Sequence, residues 1–214
     1  MLDAKGVFLF QGDSITDAGR HRGSDGANDG AALGGGYPRL VASRLLADRP
    51  RDGLRVYNRG ISGNKVPDLA ARWEADALAL EPDVLSILIG VNDIWHKLNG
   101  DSAGTVADYR EGYHDLLDET RRRLPDVKLV ICEPFVLRCG AVDERWFPEF
   151  DERRAACAEQ AKLFDAVWVP FQQVFDAATT GGVPAAYWAG DGVHPTLAGH
   201  QLMADAWLRA VEGG

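Results

Sequence analysis

Short apolar runs alternate with amphipathic stretches along the chain, and that rhythm restricts the fold more than any other feature of the sequence. Val7-Phe8-Leu9-Phe10 is apolar on both faces. A strand in the middle of a parallel sheet has this character, because helices cover both faces of such a sheet. Leu54–Asn58, Val84–Ile89 and Val127–Cys132 read as further strands, and Ala166–Val169 as a weaker fifth. Between them helical patterns fall at 36–48, 65–80, 105–123, 148–163 and 196–211, the last with Leu197, Leu202, Ala206 and Leu208 on one apolar face. Strands alternating with helices predict β-α-β units. No internal repeat, low-complexity tract or linker interrupts them, so residues 1–214 are expected to form a single three-layer α/β domain. Residues 20–36, rich in Gly and Asp, and residues 137–147 break the rhythm and read as long loops, which in compact domains are often binding segments.

Composition excludes several partners. Against 23 basic residues stand 32 acidic ones, a net charge of -9 with no basic stripe. Such a chain repels phosphate backbones and anionic membrane surfaces, so neither nucleic acid nor membrane is an expected partner. The apolar run Val84–Ile89 is far short of the ~20 residues that span a bilayer. The first residues lack the charged and apolar regions of a secretory leader, which makes a cytoplasmic location the expectation. Cys132, Cys139 and Cys157 follow no metal or redox spacing and are expected to be buried spectators.

The chemistry gathers where strands end. Gln11-Gly12-Asp13-Ser14-Ile15-Thr16 follows the first strand directly, and open α/β sheets bind ligands at the carboxyl ends of their strands. Taken alone, Ser14 reads equally well as a turn or helix-cap residue. Near the other end lies Asp191-Gly192-Val193-His194-Pro195. A serine hydroxyl needs an imidazole to take its proton, and the imidazole needs a carboxylate to fix its tautomer. Asp191 and His194 are about one turn apart, and Pro195 restricts His194 to extended backbone. Asn58–Asn64 follows the second strand and Ile89–Asp93 the third; Gly63 and Asn92 there could supply uncharged donors to an oxyanion.

Together, Gly12-Asp13-Ser14, Gly60-Ile61-Ser62-Gly63, Gly90-Val91-Asn92-Asp93 and Asp191-Gly192-Val193-His194-Pro195 resemble the four blocks of the SGNH (GDSL) hydrolase family, in the correct order across the whole chain. Within that family the sequence is most similar to bacterial intracellular acetyl xylan esterases, through Gly12–Asp17, Leu33–Tyr37, Gly60–Asn64, Ala71-Arg72-Trp73 and Ile89–Asp93 with Trp95. The resemblance implies a flavodoxin-like sheet of five parallel strands ordered 2-1-3-4-5. That order brings Gly63, Ser14 and Asn92 together. It implies a Ser14–His194–Asp191 triad, an oxyanion hole from Ser14, Gly63 and Asn92, no metal and no cofactor. The implied substrate is a small acetylated molecule, a saccharide such as a xylo-oligosaccharide, with a general short-chain esterase or lysophospholipase-like enzyme as the alternative.

Other readings fit less well. No G-x-x-x-x-G-K-[ST] phosphate loop occurs, and the five histidines show no H-E-x-x-H or clustered spacing. A non-catalytic carbohydrate-binding module would have no need of the Ser-Asp-His set. The α/β-hydrolase elbow G-x-S-x-G is excluded, since Thr16 stands at its second glycine. Asp13, Trp95 and Trp188 are candidate substrate contacts, the two indoles because each lies within four residues of a block. His200 reads as a packing or capping residue, and Arg121-Arg122-Arg123 as charge complementing a helix C-terminus. Six tryptophans and the apolar last helix suggest a homo-oligomer.

Overall fold

The computed structural model describes residues 6–213, so the first five residues, read above for a leader, lie outside the described part. All five strands form: β1 (Val7–Gly12), β2 (Arg55–Asn58), β3 (Val84–Leu88), β4 (Lys128–Cys132) and β5 (Val167–Val169). They pair in parallel in the order β2-β1-β3-β4-β5, the order the resemblance implied. The helices are α1 (Ser14–Asp17), α2 (Gly30–Leu33), α3 (Tyr37–Asp48), α4 (Val66–Asp76), α5 (Val91–Leu98), α6 (Val106–Arg123), α7 (Glu149–Leu163), α8 (Phe171–Thr180), α9 (Ala185–Trp188) and α10 (Leu197–Glu212).

The period-two alternation of each strand sorts its side chains between two cores. Phe8, Phe10, Val56 and Val130 pack with Tyr37 and Val41 of α3, Phe171 and Phe175 of α8, and Trp207 of α10. Leu9, Leu85, Ile87 and Ile131 pack with Leu69 and Trp73 of α4, Tyr109 and Tyr113 of α6, and Cys157 of α7. Trp207 is fully buried, and its indole N–H donates to Ser86 Oγ at 3.0 Å, so the one polar atom of that side chain is satisfied. Truncating it to alanine would cost on the order of 3–5 kcal/mol.

Local chemistry sets the helix ends. Thr105 and Asp108 exchange backbone and side-chain hydrogen bonds at the start of α6, a capping box. At its other end Arg121 donates to the carbonyls of Val127 (2.6 Å) and Phe164 (2.9 Å), which lie outside α6 and tie it to its neighbours. The pattern over 65–80 does not run as one helix. Gln11 Nε2 donates to the Asp76 carbonyl at 2.7 Å, taking the place of the next helical N–H, and the chain tightens into a short 3-10 turn at Leu78–Leu80. Five helices escape the sequence pattern. The longer two are α5, which opens on the turn-forming Asn92-Asp93 pair, and α8; core packing of Ile94, Phe171 and Phe175 outweighs their weak helical signal.

Both predicted loops are anchored. Asn28 takes the N–H of Val56 on its side chain (2.8 Å) and donates its own backbone N–H to the Val56 carbonyl (3.0 Å), covering the edge of β2. In the second loop, Leu137 N–H donates to the Gly192 carbonyl and Ala141 N–H to that of Asp191, both at 2.8 Å. Cys132 and Cys157 are buried and Cys139 half-buried, all three as free thiols.

Candidate active site

Three neighbouring strands deliver three loops to one edge of the sheet. Registers Phe10↔Asn58 and Gly12↔Leu88 set the ends of β2, β1 and β3 side by side. Gly12 makes the turn out of β1 at φ +155, where a Cβ would lie 2.3 Å from the Leu88 carbonyl oxygen, so no other residue fits. Asp13 then caps α1 by accepting from Ile15 N–H at 3.0 Å, and Ser14 is the first residue of that helix. The loop after β2 is tied to β1 by Ile61 N–H donating to the Gly12 carbonyl at 3.0 Å. Asn92, after β3, donates one amide hydrogen to the Asn64 carbonyl at 3.1 Å. This holds the amide beside the Gly60–Asn64 loop and leaves its second hydrogen to a ligand.

The fourth loop closes the constellation. Asp191 Oδ1 accepts the backbone N–H groups of Val193 (2.9 Å) and His194 (2.7 Å), and its Oδ2 accepts from His194 Nδ1 at 2.6 Å. Burial would raise the Asp191 carboxyl, but the hydrogen bonds from the His194 ring and these backbone groups outweigh it and hold the group below the usual carboxylate range. An ionised carboxylate only accepts, so Nδ1 carries the proton and Nε2 presents its lone pair. That lone pair faces Ser14 Oγ at 2.8 Å. Gly192, at φ +86, lets this loop lie against the carbonyls of Leu137 and Cys139, where a Cβ would come within 2.5 Å of either. The 137–147 loop is therefore the clamp of the Asp191–His194 turn.

The other predicted residues divide. The Trp95 ring lies 5.8 Å from the His194 ring. Trp188 packs edge-on against Tyr187 at 5.0 Å, and its carbonyl accepts from Thr196 N–H at 2.8 Å. It braces the segment leading into the turn, while Trp95 faces the imidazole. Asp13 is 1% exposed, so its carboxyl is an internal element of the turn and not a group presented to a ligand. Burial pushes it up to about 7, an effect offset by the Ile15 N–H and reinforced by Asp93. His200 stays apart from His194; its Nδ1 accepts from Tyr37 N–H at 3.2 Å, the cap that Gly36 cannot supply to α3. Among the described residues no three His, Cys, Asp or Glu side chains gather as metal ligands.

Two contributors went unread in the sequence. Trp146, in the second loop, is buried against Trp95 at 5.6 Å between ring centres and donates to the Ala141 carbonyl at 3.1 Å, so it backs the indole that faces His194. Asp17 accepts from Ser62 N–H (3.0 Å), Ser62 Oγ (3.1 Å) and Arg22 (2.6 Å), which fixes the residue before Gly63. Burial opposes ionisation there, but these partners hold the Asp17 carboxyl below its ordinary value. Its place in the Gly12–Asp17 block was the available signal.

A family model described as the GDSL-like lipase/acylhydrolase family matches residues 10–202. An acetylxylan esterase of Geobacillus stearothermophilus is 38% identical over 208 residues, which cover 95% of this chain and 92% of the relative. Among solved structures, a protein described as GDSL-like lipase from Parabacteroides merdae shares 50% identity at a TM-score of 0.94, covering 97% of this chain and 96% of that one. The crystal structure of Axe2, an acetylxylan esterase from Geobacillus stearothermophilus, superposes at a TM-score of 0.84 with 34% identity, over 97% and 94% of the two chains.

Proposed function

Since the chain belongs to the GDSL-like lipase/acylhydrolase family, we propose that it hydrolyses acetyl esters of small saccharides, with Ser14, His194 and Asp191 as its catalytic residues. The protein is a carboxylic ester hydrolase. The observation that carries the residue assignment is the unbroken relay from Asp191 Oδ2 through His194 to Ser14 Oγ, at 2.6 and 2.8 Å.

The steps follow from those contacts. Ser14 Oγ attacks the ester carbonyl while His194 Nε2 removes its proton. Asp191 keeps the ring in the productive tautomer and stabilises the imidazolium. The negative charge forming on the carbonyl oxygen is met by the N–H groups of Ser14 and Gly63 and by the free hydrogen of the Asn92 amide. His194 returns its proton to the sugar oxygen as the carbon–oxygen bond breaks, leaving acetyl on Ser14. Water, deprotonated by the same imidazole, attacks the acyl-enzyme, and His194 returns that proton to Ser14 Oγ as the acyl–oxygen bond breaks and acetic acid departs.

The saccharide reading is supported by the acetylxylan esterase relatives, by the half-buried Trp95 ring beside His194, and by the polar, largely exposed segment 21–29 next to the motifs. Comparing kcat/KM for p-nitrophenyl acetate, butyrate and octanoate with peracetylated xylose tests it. Acetyl esters, including those on the sugar, are expected to be the best substrates. A preference for octanoate, or no acetate released from any acetylated saccharide, would replace it with a general esterase.

Two further parts belong to this reading. Among the described residues no helix is long and apolar enough to cross a membrane, and action inside the cell is the setting we infer; fractionation of a producing cell tests it. Assembly of several copies is supported by the exposed Leu197, at 84%, and Tyr187, at 57%. Sedimentation at a mass near 23.3 kDa would end that part.

A further inference from the structure

Two buried acids adjoin residues to which the esterase reading gives roles, and the inference rests on that reading for those roles. Asp13 precedes Ser14 and Asp93 follows Asn92, and the two are 1% and 6% exposed. Each spends one oxygen on a backbone N–H of the site. Asp13 Oδ1 takes Ile15 N–H at 3.0 Å and starts α1; Asp93 Oδ1 takes Val66 N–H at 3.2 Å and fixes the far end of the loop that holds Gly63. The Oδ2 atom of each is shut away from solvent and has no hydrogen-bond partner among the described residues.

A buried carboxylate oxygen with no donor to it is costly to charge, and the group favours a proton unless cations stand beside it. Two such groups that repel one another do not both ionise. Their surroundings rank them. Asp93 lines one cavity with Lys65, the buried Arg153 and Tyr109, and the two cations favour its charge. The charge of Asp13 is opposed by Asp93 and supported by backbone N–H groups instead of a cation. The proton therefore belongs on Asp13. We propose that Asp13 works as a neutral carboxylic acid, a positioning residue that keeps Ser14 in place, while Asp93 is the ionised partner that anchors the loops around Asn92. Burial acts in the same direction, pushing Asp13 up to about 7 and Asp93 only to about 6.

Asparagine copies a protonated carboxyl, with an acceptor at Oδ1 and a donor at the other position, and it caps helices as well as aspartate does. Asp13→Asn is accordingly expected to keep kcat on p-nitrophenyl acetate within about threefold of the parent near pH 6, where the parent's Asp13 is neutral. Asp13→Ala should lose kcat by roughly 10- to 100-fold with KM nearly unchanged, the mark of a misplaced nucleophile. A raised folded value means that stability is present in full below about 4 and is lost as pH rises towards 7. The melting temperature of Asp13→Asn minus that of the parent should thus grow between pH 4 and 7 by on the order of 10 °C, then level off. A folded Asp13→Asn enzyme as impaired as Asp13→Ala, an Asp13→Ala enzyme as active as the parent, or a melting difference flat with pH would each overturn the proposal. If Asp13→Ala does not fold, the asparagine variant decides by both readouts. The melting arm needs no turnover, so failure of the esterase reading, seen as hydrolysis that survives Ser14→Ala, is distinct from failure here.

Discussion

His200 on α10 holds the first free N–H of α3: its Nδ1 accepts from Tyr37 N–H at 3.2 Å across 163 residues of chain. To accept, the ring must be neutral at Nδ1. Burial, with a smaller contribution from His194, depresses the His200 imidazole to about 4. The unfolded chain takes up a proton near pH 6.5 that the folded one refuses. Stability from this site is therefore complete above about 6.5 and is lost as pH falls to about 4, by up to about 3 kcal/mol. His200→Gln keeps an acceptor without the titration. Its melting temperature should fall less steeply than the parent's between pH 6.5 and 4, and parallel curves would refute the assignment.

Ser14→Ala should abolish turnover and leave the fold intact, because Ser14 is half-buried at the head of a one-turn helix and its Oγ bonds only to His194. A loss on the order of 10⁴–10⁶ in kcat is expected, as for other members of such triads. The check is kcat on p-nitrophenyl acetate beside a circular dichroism spectrum; more than a few per cent of residual activity would point to another nucleophile.

Asn92→Ala removes one donor of three and should cost roughly 10²–10³ in kcat. It also frees the Asn64 carbonyl, which Asn92 holds at 3.1 Å, so KM is expected to rise modestly. Steady-state kinetics separate the two effects. A change in KM alone would make Asn92 a contact to bound substrate and not to the oxyanion.

Trp95→Ala removes the indole packed 5.8 Å from His194 and opens a space in front of Trp146. A drop of about 2- to 10-fold in kcat/KM on p-nitrophenyl acetate is expected from the lost aromatic contact. On peracetylated xylose the drop should be larger if the proposed saccharide function holds, because the lost ring is then the flat face on which the sugar would pack. Equal losses on the two substrates would confine Trp95 to supporting the imidazole.

The five strands and the five longest helices were legible because burial and periodicity leave a local mark, as in Val7–Phe10. Ser14, Asp191, His194, Gly63 and Asn92 were singled out by short motifs, and the fold brings Ser14, His194 and Asp191 into hydrogen-bond contact. Strand adjacency came only through resemblance, because pairing between β2, β1 and β3 is a long-range choice that no local window contains. The fold alone decided which indole faces His194: Trp95 and Trp188 have the same distance-in-sequence credentials, and only packing against Trp146 or Tyr187 separates them. It also turned Asp13 from a candidate ligand contact into an internal group, since exposure is a property of everything packed around a side chain. His200 shows the same limit. The sequence marks it as a non-catalytic histidine, but its partner, the N–H of Tyr37, is brought to it by the packing of α10 on α3, because the helix that lacks a cap and the side chain that supplies one are far apart in the chain and meet only on one face of the formed sheet.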